Sequence, residues 1–233
     1  MLKRAIIFAG GKGKRLRPYT YVVPKPLLPI GEKPILEMII NQLQKNGIKH
    51  ITISIFHNIS LFKSIFSKKN FPKIKIDFLV EKKPLGTIGG LKLIKNLPNE
   101  FLALNGDLLT NLNFKEMYKF HKKQKSTLTL CSKKIQTNIE YGVLTDNKDG
   151  FLIDFIEKPK PEFKINLGIY IINKELIKKI AQNSNFGFDK LIKKINNKKI
   201  AVYNTKCKWF DIGREKDLYE AQDYFQKNKN FFI

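Results

Sequence analysis

The fold is decided by one stretch near the amino end of the chain, Ile6-Ile7-Phe8-Ala9-Gly10-Gly11-Lys12-Gly13-Lys14-Arg15-Leu16-Arg17-Pro18, which is soon followed by Pro24-Lys25-Pro26. An apolar strand here ends in glycines, which let backbone N–H groups approach an anion and tolerate positive φ values. Arg15 adds a forked donor that is always charged, and Lys25 adds a second cation between two prolines that restrict its backbone. The stretch therefore predicts a site for the phosphates of a nucleotide.

Two better-known glycine loops do not fit this stretch. A P-loop needs Gly-Lys-Ser/Thr, but Gly13-Lys14 is followed by Arg15, which has no hydroxyl for magnesium. A dinucleotide-binding loop opens directly into a helix, whereas the prolines at positions 18, 24, 26 and 29 predict that no helix forms here. Neither an ATPase loop nor an NAD site is expected.

Further motifs follow the loop in a fixed order along nearly the whole chain. They are Leu27-Leu28-Pro29-Ile30, Lys33-Pro34-Ile35-Leu36, Pro84-Leu85-Gly86-Thr87, Asn105-Gly106-Asp107, Glu157-Lys158-Pro159, Asn166-Leu167-Gly168 and Trp209-Phe210-Asp211-Ile212-Gly213. With Arg15, Pro18, Thr20 and Lys25, their order and spacing resemble the sugar-1-phosphate nucleotidyltransferases, or NDP-sugar pyrophosphorylases. The resemblance is to the short mannose- or heptose-1-phosphate guanylyltransferase-like members of that family.

The resemblance implies a reaction. An oxygen of a sugar 1-phosphate attacks the α-phosphorus of a nucleoside triphosphate, and pyrophosphate leaves in line. Catalysis of this kind is mostly positioning and charge neutralisation, with Mg²⁺ as the expected cofactor. No general base is needed, because the attacking phosphate is already ionised. The product is a nucleotide sugar of the kind used for cell-surface polysaccharides such as lipopolysaccharide or capsule.

The resemblance also implies a role for each matched residue. The expected catalytic residues are Arg15 and Lys25 on the triphosphate, Asp107 on the metal and Lys158 on the sugar phosphate. The expected nucleotide-binding residues are Ala9, Gly10, Gly11, Gly13, Arg15, Glu81, Pro84, Gly86 and Thr87. The expected sugar-binding residues are Tyr141, Gly142, Glu157, Lys158 and Asn166. The metal is expected between Asp107 and Asp211, since Mg²⁺ takes one or two carboxylates plus substrate phosphates.

Two positions depart from the pattern of many relatives. Glu81 stands where the thymidylyl-transferring type usually carries a glutamine, and a carboxylate suits the N1–H and N2–H donors of guanine. The sequence therefore favours GTP, with cytidylyl, uridylyl or thymidylyl transfer, including the phosphocholine type, as alternatives. Lys14 stands where many members have Thr or Ser and adds charge to the loop, and we expect activity to survive this change.

Hydrophobic periodicity predicts an α/β fold with a Rossmann-like mixed, mainly parallel sheet covered by helices. The predicted strands are 4–9, 50–56, 74–80, 101–104, 127–131, 142–144, 151–156, 167–172 and 200–203. The predicted helices are 35–45, 59–66, 89–95, 114–125, 174–181, 188–195 and 215–225. We expect one domain over 1–233, with a nucleotide-binding half of about 1–110 and a sugar-phosphate half of about 111–233. The hexapeptide repeats of an added C-terminal β-helix are absent from the sequence.

Composition limits the function classes. The net charge of +24 suggests nucleic acid, but the lysines are scattered and lack the aromatic interleaving of a base-stacking surface. We therefore expect no nucleic-acid partner, no membrane insertion and a cytoplasmic location, since the apolar run at the amino end is too short for a signal peptide. Cys131 and Cys207 lack metal-ligand spacing and are expected to be reduced. His50, His57 and His121 are expected to be structural.

One further class stays open at this point. A regulatory subunit with an inactive site would keep the fold but would be expected to lose Arg15, Lys25 or an aspartate, and this chain keeps all of them. Homo-oligomerisation is possible, and no interface is visible in the sequence.

Overall fold

The computed structural model describes residues 2–182 and 184–228. Its strands are β1 Arg4–Phe8, β2 Pro29–Ile30, β3 Lys33–Pro34, β4 His50–Ile55, β5 Lys75–Val80, β6 Glu100–Asn105, β7 Leu108–Thr110, β8 Leu128–Gln136, β9 Val143–Asp146, β10 Leu152–Ile156, β11 Glu162–Asn173, β12 Ile200–Asn204 and β13 Trp209–Asp211. Its α-helices are α1 Tyr19–Val22, α2 Ile35–Lys45, α3 Ile59–Ile65, α4 Gly86–Gly89, α5 Phe114–Lys123, α6 Phe188–Ile192 and α7 Glu215–Lys227.

A seven-stranded sheet in the order β12-β8-β11-β6-β1-β4-β5 forms the centre of the molecule. Neighbouring strands run parallel except where β11 pairs antiparallel with β6 and with β8. Helices cover both faces, as a mainly parallel sheet requires. The mixed, mainly parallel α/β fold predicted from the sequence is confirmed.

Strand β1 shows why both faces are buried. Its residues point alternately to the two sides of the sheet. Ala5 and Ile7 belong to one core cluster, which also contains the apolar face of α2, whereas Ile6 belongs to a second cluster with Phe188 of α6. An almost uninterrupted apolar strand thus places the glycine loop at the carboxyl edge of the sheet.

The proline-rich segment is more helical than predicted. Lys14–Leu16 and Lys25–Leu27 form 3₁₀ turns, and α1 makes a single turn between Pro18 and Pro24. A proline is tolerated where a helix begins, because its missing N–H would have no partner there. Val23 is extended, as expected before a proline. The prolines limit the helices to one turn but do not prevent them.

Other elements differ in extent from the prediction. Residues 89–95 were predicted to be one helix, but α4 begins earlier, at Gly86, and continues as a 3₁₀ turn Gly90–Leu93. The segment Lys174–Lys179 is a 3₁₀ helix, and α6 ends at Ile192. Strand β11 is much longer than predicted, and the short pairs β2–β3 and β7–β13 were missed.

Strands β9 and β10 form a separate two-stranded hairpin. Its turn has the predicted composition: the Asn147 N–H donates to the Phe151 carbonyl at 2.9 Å, and Gly150 has φ +83°. In the ranges 2–182 and 184–228, no helix is both long and apolar enough to cross a membrane.

Candidate active site

A cavity of about 450 Å³ opens at the carboxyl edge of the sheet, beside the ends of β1 and β6. It brings together most of the predicted nucleotide and catalytic residues, namely Ala9, Gly10, Gly11, Lys25, Glu81, Pro84, Gly86, Thr87 and Asp107. It is also lined by residues for which the sequence predicted no role: Phe8, Lys12, Pro26, Ser54, Phe56, Leu85 and Asn105. The edge of a parallel sheet is where ligands of such folds bind.

The glycine loop is fixed to the protein body at both ends. The Ala9 N–H donates to the Ser54 carbonyl at 2.9 Å, and the Thr20 hydroxyl donates to the Gly13 carbonyl at 2.9 Å. Gly13 has φ +61°, and a Cβ there would lie 2.9 Å from Thr20 Cγ2. A Cβ on Gly11 would meet nothing within 4 Å among the described atoms, so this residue faces open space. The loop is therefore anchored yet accessible.

Lys25 lies between two carboxylates that are far apart in sequence. It is only 7% exposed, its ammonium pairs with Asp107 Oδ2, and Asp211 Oδ1 lies 4.0 Å away. The pairing of β7 with β13 brings these carboxylates together, and the Ile212 N–H donates to the Asp107 carbonyl at 3.0 Å. Burial and the neighbouring Asp107 raise the pKa of Asp211, while Lys25 and Arg15 oppose the shift.

The residues present fit a hard divalent cation. Asp107 Oδ1 is buried and has no hydrogen-bond partner among the described residues, and Asp211 Oδ1 lies 4.0 Å from the same Lys25 ammonium that pairs with Asp107 Oδ2. Oxygen ligands of this kind suit Mg²⁺, which usually keeps substrate phosphates and water in its remaining positions. The described part of the chain offers no group of three or more His, Cys, Asp or Glu side chains for a metal. Substrate oxygens would therefore have to complete the coordination.

Arg15 lies beside the glycine of the Asp211-Ile212-Gly213 motif. A Cβ on Gly213 would come within 3.4 Å of Arg15 Nη2 and 3.5 Å of Cζ. The guanidinium therefore packs against this glycine, at a distance that a Cβ would also tolerate. The sequence predicted Asp211 from this motif but not the contact between Arg15 and Gly213, because no local pattern links positions 15 and 213.

Glu81 is buried at the opposite wall of the cavity. Its Oε1 accepts from the Ser54 hydroxyl at 2.9 Å, and its Oε2 accepts from the Leu85 N–H at 3.0 Å. A Cβ on Gly90 would lie 2.8 Å from Oε1, so that glycine makes room for the carboxylate. An ionised carboxylate has about four lone-pair sites. Each oxygen can therefore accept another donor from a ligand.

The loop that carries Gly86 and Thr87 is attached to a segment that sequence reasoning missed. The Phe186 N–H donates to the Leu85 carbonyl at 2.8 Å, and the Ile88 N–H donates to the Phe186 carbonyl at 3.1 Å. Gly86 has φ +75°, and a Cβ there would lie 2.7 Å from the Phe186 nitrogen. Only glycine fits this position, and the attachment fixes the wall of the cavity.

The predicted sugar-binding residues lie elsewhere, around the β9–β10 hairpin. Tyr141 is 79% exposed, and both Glu157 and Lys158 are exposed just after β10. A Cβ on Gly142 would lie 2.7 Å from the Phe155 ring and 3.1 Å from Glu157 Oε2, so the two ends of the hairpin meet. Neither these residues nor Asn166 are among the described residues that line the cavity.

Asn166 has partners within the protein. Its Nδ2 donates to the Tyr170 hydroxyl at 2.6 Å, and its Oδ1 accepts from the Gly168 N–H at 3.2 Å. Gly168 has φ +71°, and a Cβ there would lie 2.5 Å from the amide of Asn105, which lines the cavity. This motif lies within β11, at the irregularity where its register with β8 shifts between Asn166 and Tyr170.

The histidines and cysteines have structural surroundings. His50 Nε2 lies 2.5 Å from Asp77 Oδ2, and His121 Nδ1 lies 2.7 Å from Thr129 Oγ1. Cys131 and Cys207 are free thiols, and burial raises the pKa of Cys131 to about 12. A thiol with such a pKa is a poor nucleophile near neutral pH.

Comparison with known proteins identifies the family. The family model described as nucleotidyl transferase matches residues 4–228. The chain belongs to the nucleotidyl transferase family. The chain is 33% identical to the D-glycero-alpha-D-manno-heptose 1-phosphate guanylyltransferase of Campylobacter jejuni over 222 residues, 93% of this chain and 97% of the relative. It is 34% identical to the mannose-1-phosphate guanyltransferase of Saccharomyces cerevisiae, of which it spans 62%, over 92% of its own length.

Solved structures agree with this family membership. HddC from Yersinia pseudotuberculosis superposes with a TM-score of 0.76 at 28% identity, covering 96% of this chain and 100% of that one. The same protein complexed with GMP-PN gives a TM-score of 0.74 at 26% identity, again covering 96% of this chain and 100% of that one. The nucleotidyltransferase resemblance read from the motifs is thus confirmed, and the chain is an enzyme of the nucleotidyltransferase type.

Proposed function

We propose that the enzyme transfers a guanylyl group from GTP to a mannose- or heptose-like sugar 1-phosphate and releases pyrophosphate. The observation that carries this proposal is the meeting of the glycine loop, Lys25, Asp107 and Asp211 at one edge of the sheet. Backbone donors, a buried cation and two carboxylates for a metal are what a triphosphate requires. The guanylyltransferase relatives support the choice of nucleotide.

The chain's own groups have distinct parts in this reaction. The glycine loop and Arg15 hold the triphosphate, and the guanidinium is placed to stabilise charge that develops on the leaving pyrophosphate. Asp107 and Asp211 hold Mg²⁺, which supplies charge neutralisation when bound. Lys25 is the counter-ion of Asp107 in the structure, and in this proposal its ammonium also binds the triphosphate. Lys158 binds the phosphate of the attacking sugar.

Glu81 selects the base in this proposal. Its carboxylate is buried in the cavity wall, is fixed by Ser54 and Leu85, and has remaining acceptor capacity. Guanine presents two adjacent N–H donors, N1–H and N2–H, which match such an acceptor. Uracil and thymine present one N–H donor between two carbonyls, and the oxygens would face the carboxylate unfavourably. Glu81 therefore favours guanine by attraction and disfavours the other two by repulsion.

The proposed reaction also indicates the use of its product and the location of the enzyme. The substrates are a nucleoside triphosphate and a sugar 1-phosphate, and the nucleotide sugar serves cell-surface polysaccharide synthesis such as lipopolysaccharide or capsule. These substrates are cytoplasmic metabolites, so we place the enzyme in the cytoplasm. No nucleic acid or membrane partner takes part in the reaction.

One relative favours a second nucleotide. The chain is 31% identical to the UTP–glucose-1-phosphate uridylyltransferase of Synechocystis, over 94% of this chain and 62% of that protein. Uridylyl transfer to a hexose phosphate is therefore the alternative to be tested. An inactive regulatory subunit is disfavoured, because Arg15, Lys25, Asp107 and Asp211 are all present at the site.

The test is pyrophosphate release with Mg²⁺ for each of GTP, UTP, CTP, dTTP and ATP against a panel of sugar 1-phosphates. We expect release with GTP and a mannose- or heptose-type phosphate only when both substrates are present. The Asp107→Asn variant should lower turnover about a thousandfold, because it removes a charge that the metal needs. Binding of GTP with Mg²⁺, measured by calorimetry, should weaken in parallel.

A matched variant separates chemistry from folding. Asp223 is a surface aspartate paired only with Lys227 in the ranges described, at 2.8 Å, so Asp223→Asn should leave turnover unchanged. Folded Asp107→Asn protein with full activity would contradict the metal site. Release with UTP and glucose 1-phosphate but not with GTP would establish the alternative. Absence of release across the panel by folded protein would overturn the enzyme proposal.

A further inference from the structure

Helices α1 and α7 are joined by a cluster of three side chains, although 196 positions separate Tyr19 from Glu215. The Tyr19 hydroxyl lies 3.1 Å from Glu215 Oε1, and the Tyr219 hydroxyl lies 3.2 Å from the same oxygen. The two hydroxyl oxygens are 3.1 Å apart. Hydrogen bonds from hydroxyls to a carboxylate are stronger than those between neutral groups. The Tyr19–Glu215–Tyr219 cluster therefore ties the segment after the glycine loop to the last helix.

On one side of this cluster, the start of α7 is fixed to the motif that carries the second predicted metal ligand. Asp217 Oδ2 accepts from the Gly213 N–H at 3.2 Å and from the Arg214 N–H at 2.8 Å. Further along the helix, the Phe225 ring lies against Gly31, where a Cβ would come within 2.5 Å of it. Helix α7 is thus a fixed support for the cluster.

On the other side, the cluster is linked to the turn that carries Arg15. Tyr19 precedes Thr20, whose hydroxyl donates to the Gly13 carbonyl at 2.9 Å. Arg15 lies in the 3₁₀ turn that follows Gly13, and its guanidinium packs against Gly213 at the start of α7. The backbone of Arg15 is therefore held from α1, while its side chain lies against α7. The cluster sets the distance between these two supports.

The cluster contributes specific hydrogen bonds more than apolar packing. Tyr19 is 38% exposed and Tyr219 is 53% exposed, so neither ring belongs to the core. The hydrogen bonds with Tyr219 and Glu215 raise the pKa of Tyr19 to about 12, so its hydroxyl stays a donor at neutral pH. Loss of that hydroxyl should therefore loosen the contact between the two helices and leave the core unchanged.

We propose that the Tyr19–Glu215–Tyr219 cluster positions Arg15 for the triphosphate by holding the loop that carries it against α7. This inference rests on the proposed function, since Arg15 acts on a triphosphate only there. Arg15 is exposed, and ordering a long side chain costs conformational entropy that weakens binding. Holding its backbone in advance reduces that cost. None of the three cluster residues is among the described residues that line the cavity, so their role is positioning.

The first test is steady-state pyrophosphate release by the full chain with GTP, Mg²⁺ and a mannose- or heptose-type 1-phosphate. Tyr19→Phe keeps the ring and should lower kcat/KM for GTP about five- to tenfold, as for one lost hydrogen bond, while the KM for the sugar phosphate stays constant. Glu215→Ala should do the same, whereas Glu215→Gln keeps an acceptor oxygen and should retain most of the activity. Tyr21→Phe is the matched control, because Tyr21 lies on α1 outside the cluster, with Arg17 4.7 Å from its ring centre.

A double-mutant cycle distinguishes positioning of Arg15 from general support of the fold. In the Arg15→Ala background, Tyr19→Phe should change kcat/KM for GTP less than about twofold, because the side chain through which the hydroxyl acts is absent. The same five- to tenfold loss in both backgrounds would overturn the proposal, as would an equal loss in Tyr21→Phe. Thermal unfolding checks that each variant is folded.

Hydrogen exchange gives a second readout that does not depend on the reaction. The Leu16 N–H donates to the Gly13 carbonyl at 2.9 Å in the turn that carries Arg15. Without substrate, exchange of this amide should become about fivefold faster in Tyr19→Phe and Glu215→Ala and stay unchanged in Tyr21→Phe. Unchanged exchange in the cluster variants would overturn the inference even in an active enzyme. Absence of pyrophosphate release by the wild-type protein would overturn the proposed function and the role toward the triphosphate, while faster exchange would still show that the cluster holds the loop.

Discussion

The proposed nucleotide side and the proposed sugar side of the site are built in opposite ways. Lys25 and Glu81 are buried and bonded within the body of the protein, and glycines with positive φ fix the loops around them. Glu157 and Lys158 are exposed at the end of a hairpin that no strand of the main sheet supports. The first side is preorganised, so substitutions there should lower turnover. The second gains its position from substrate or partner, so substitutions there should act on KM.

Among the substitutions that test this difference between the two sides, the largest effect is expected for Arg15→Lys. A lysine cannot donate two parallel bonds to phosphate oxygens, so kcat/KM should fall about 100- to 1,000-fold. Arg17→Lys is the matched control, since Arg17 lies 4.7 Å from the centre of the Tyr21 ring and has no part in the site. Steady-state pyrophosphate release measures both. Equal losses in the two variants would contradict a specific role for Arg15.

A smaller and different effect is expected for Lys158→Ala on the sugar side. The KM for the sugar 1-phosphate should rise about ten- to a hundredfold, as for a lost hydrogen bond between charged groups, while the KM for GTP stays constant. Lys160→Ala removes a neighbouring exposed lysine and should change neither. An increase in both KM values would contradict separate binding of the nucleotide and the sugar phosphate on the two sides.

Substitution of Glu81, in the cavity wall that we propose reads the base, should change the preference between GTP and UTP about tenfold. In Glu81→Gln one acceptor oxygen is replaced by an NH₂ group, which would face the guanine donors, so preference for GTP over UTP should fall about tenfold. Ser54→Ala removes the hydroxyl that holds Glu81 from within the protein, and it should lower activity with both nucleotides alike. Competition between GTP and UTP at equal concentrations distinguishes these outcomes. An unchanged ratio in Glu81→Gln would show that the base is read elsewhere.

The sequence predicted the fold well wherever the pattern was local. Helix α2 ends where expected, because Gly47 has φ +87°. Residues 89–95 and 174–181 were placed less well, because short helical patterns do not distinguish an α-helix from 3₁₀ turns. The pair β7–β13 was missed for another reason: three-residue strands gain their stability from a partner about 100 positions away, which no periodicity can indicate.

The same limit applies to the site. The motifs name the residues that we propose for the phosphates, the metal and the base, and these roles stay predictions. The contacts that hold these residues could not be predicted from the motifs, since Lys25 with Asp107, Arg15 with Gly213 and Gly86 with Phe186 join distant parts of the chain. The roles of the hairpin residues stay predictions, because the motif names them while the structure leaves them exposed.

The smallest expected effect is on the pH dependence of stability in the body of the protein, which carries the proposed nucleotide side. Burial lowers the pKa of His121. This effect outweighs the opposing charge of Glu100, whose Oε1 lies 3.8 Å from His121 Nε2, and the charge of Lys122 lowers the pKa further. The unfolded chain therefore binds this proton more tightly than the folded one. As far as His121 determines it, the free energy of unfolding should have its full value above pH 6.5. Below that pH it should fall, by up to about 1.4 kcal/mol per pH unit for one proton. The free energy of unfolding in urea, measured from pH 7.5 to about 5, should fall less steeply in His121→Gln. Equal slopes would contradict a buried neutral histidine.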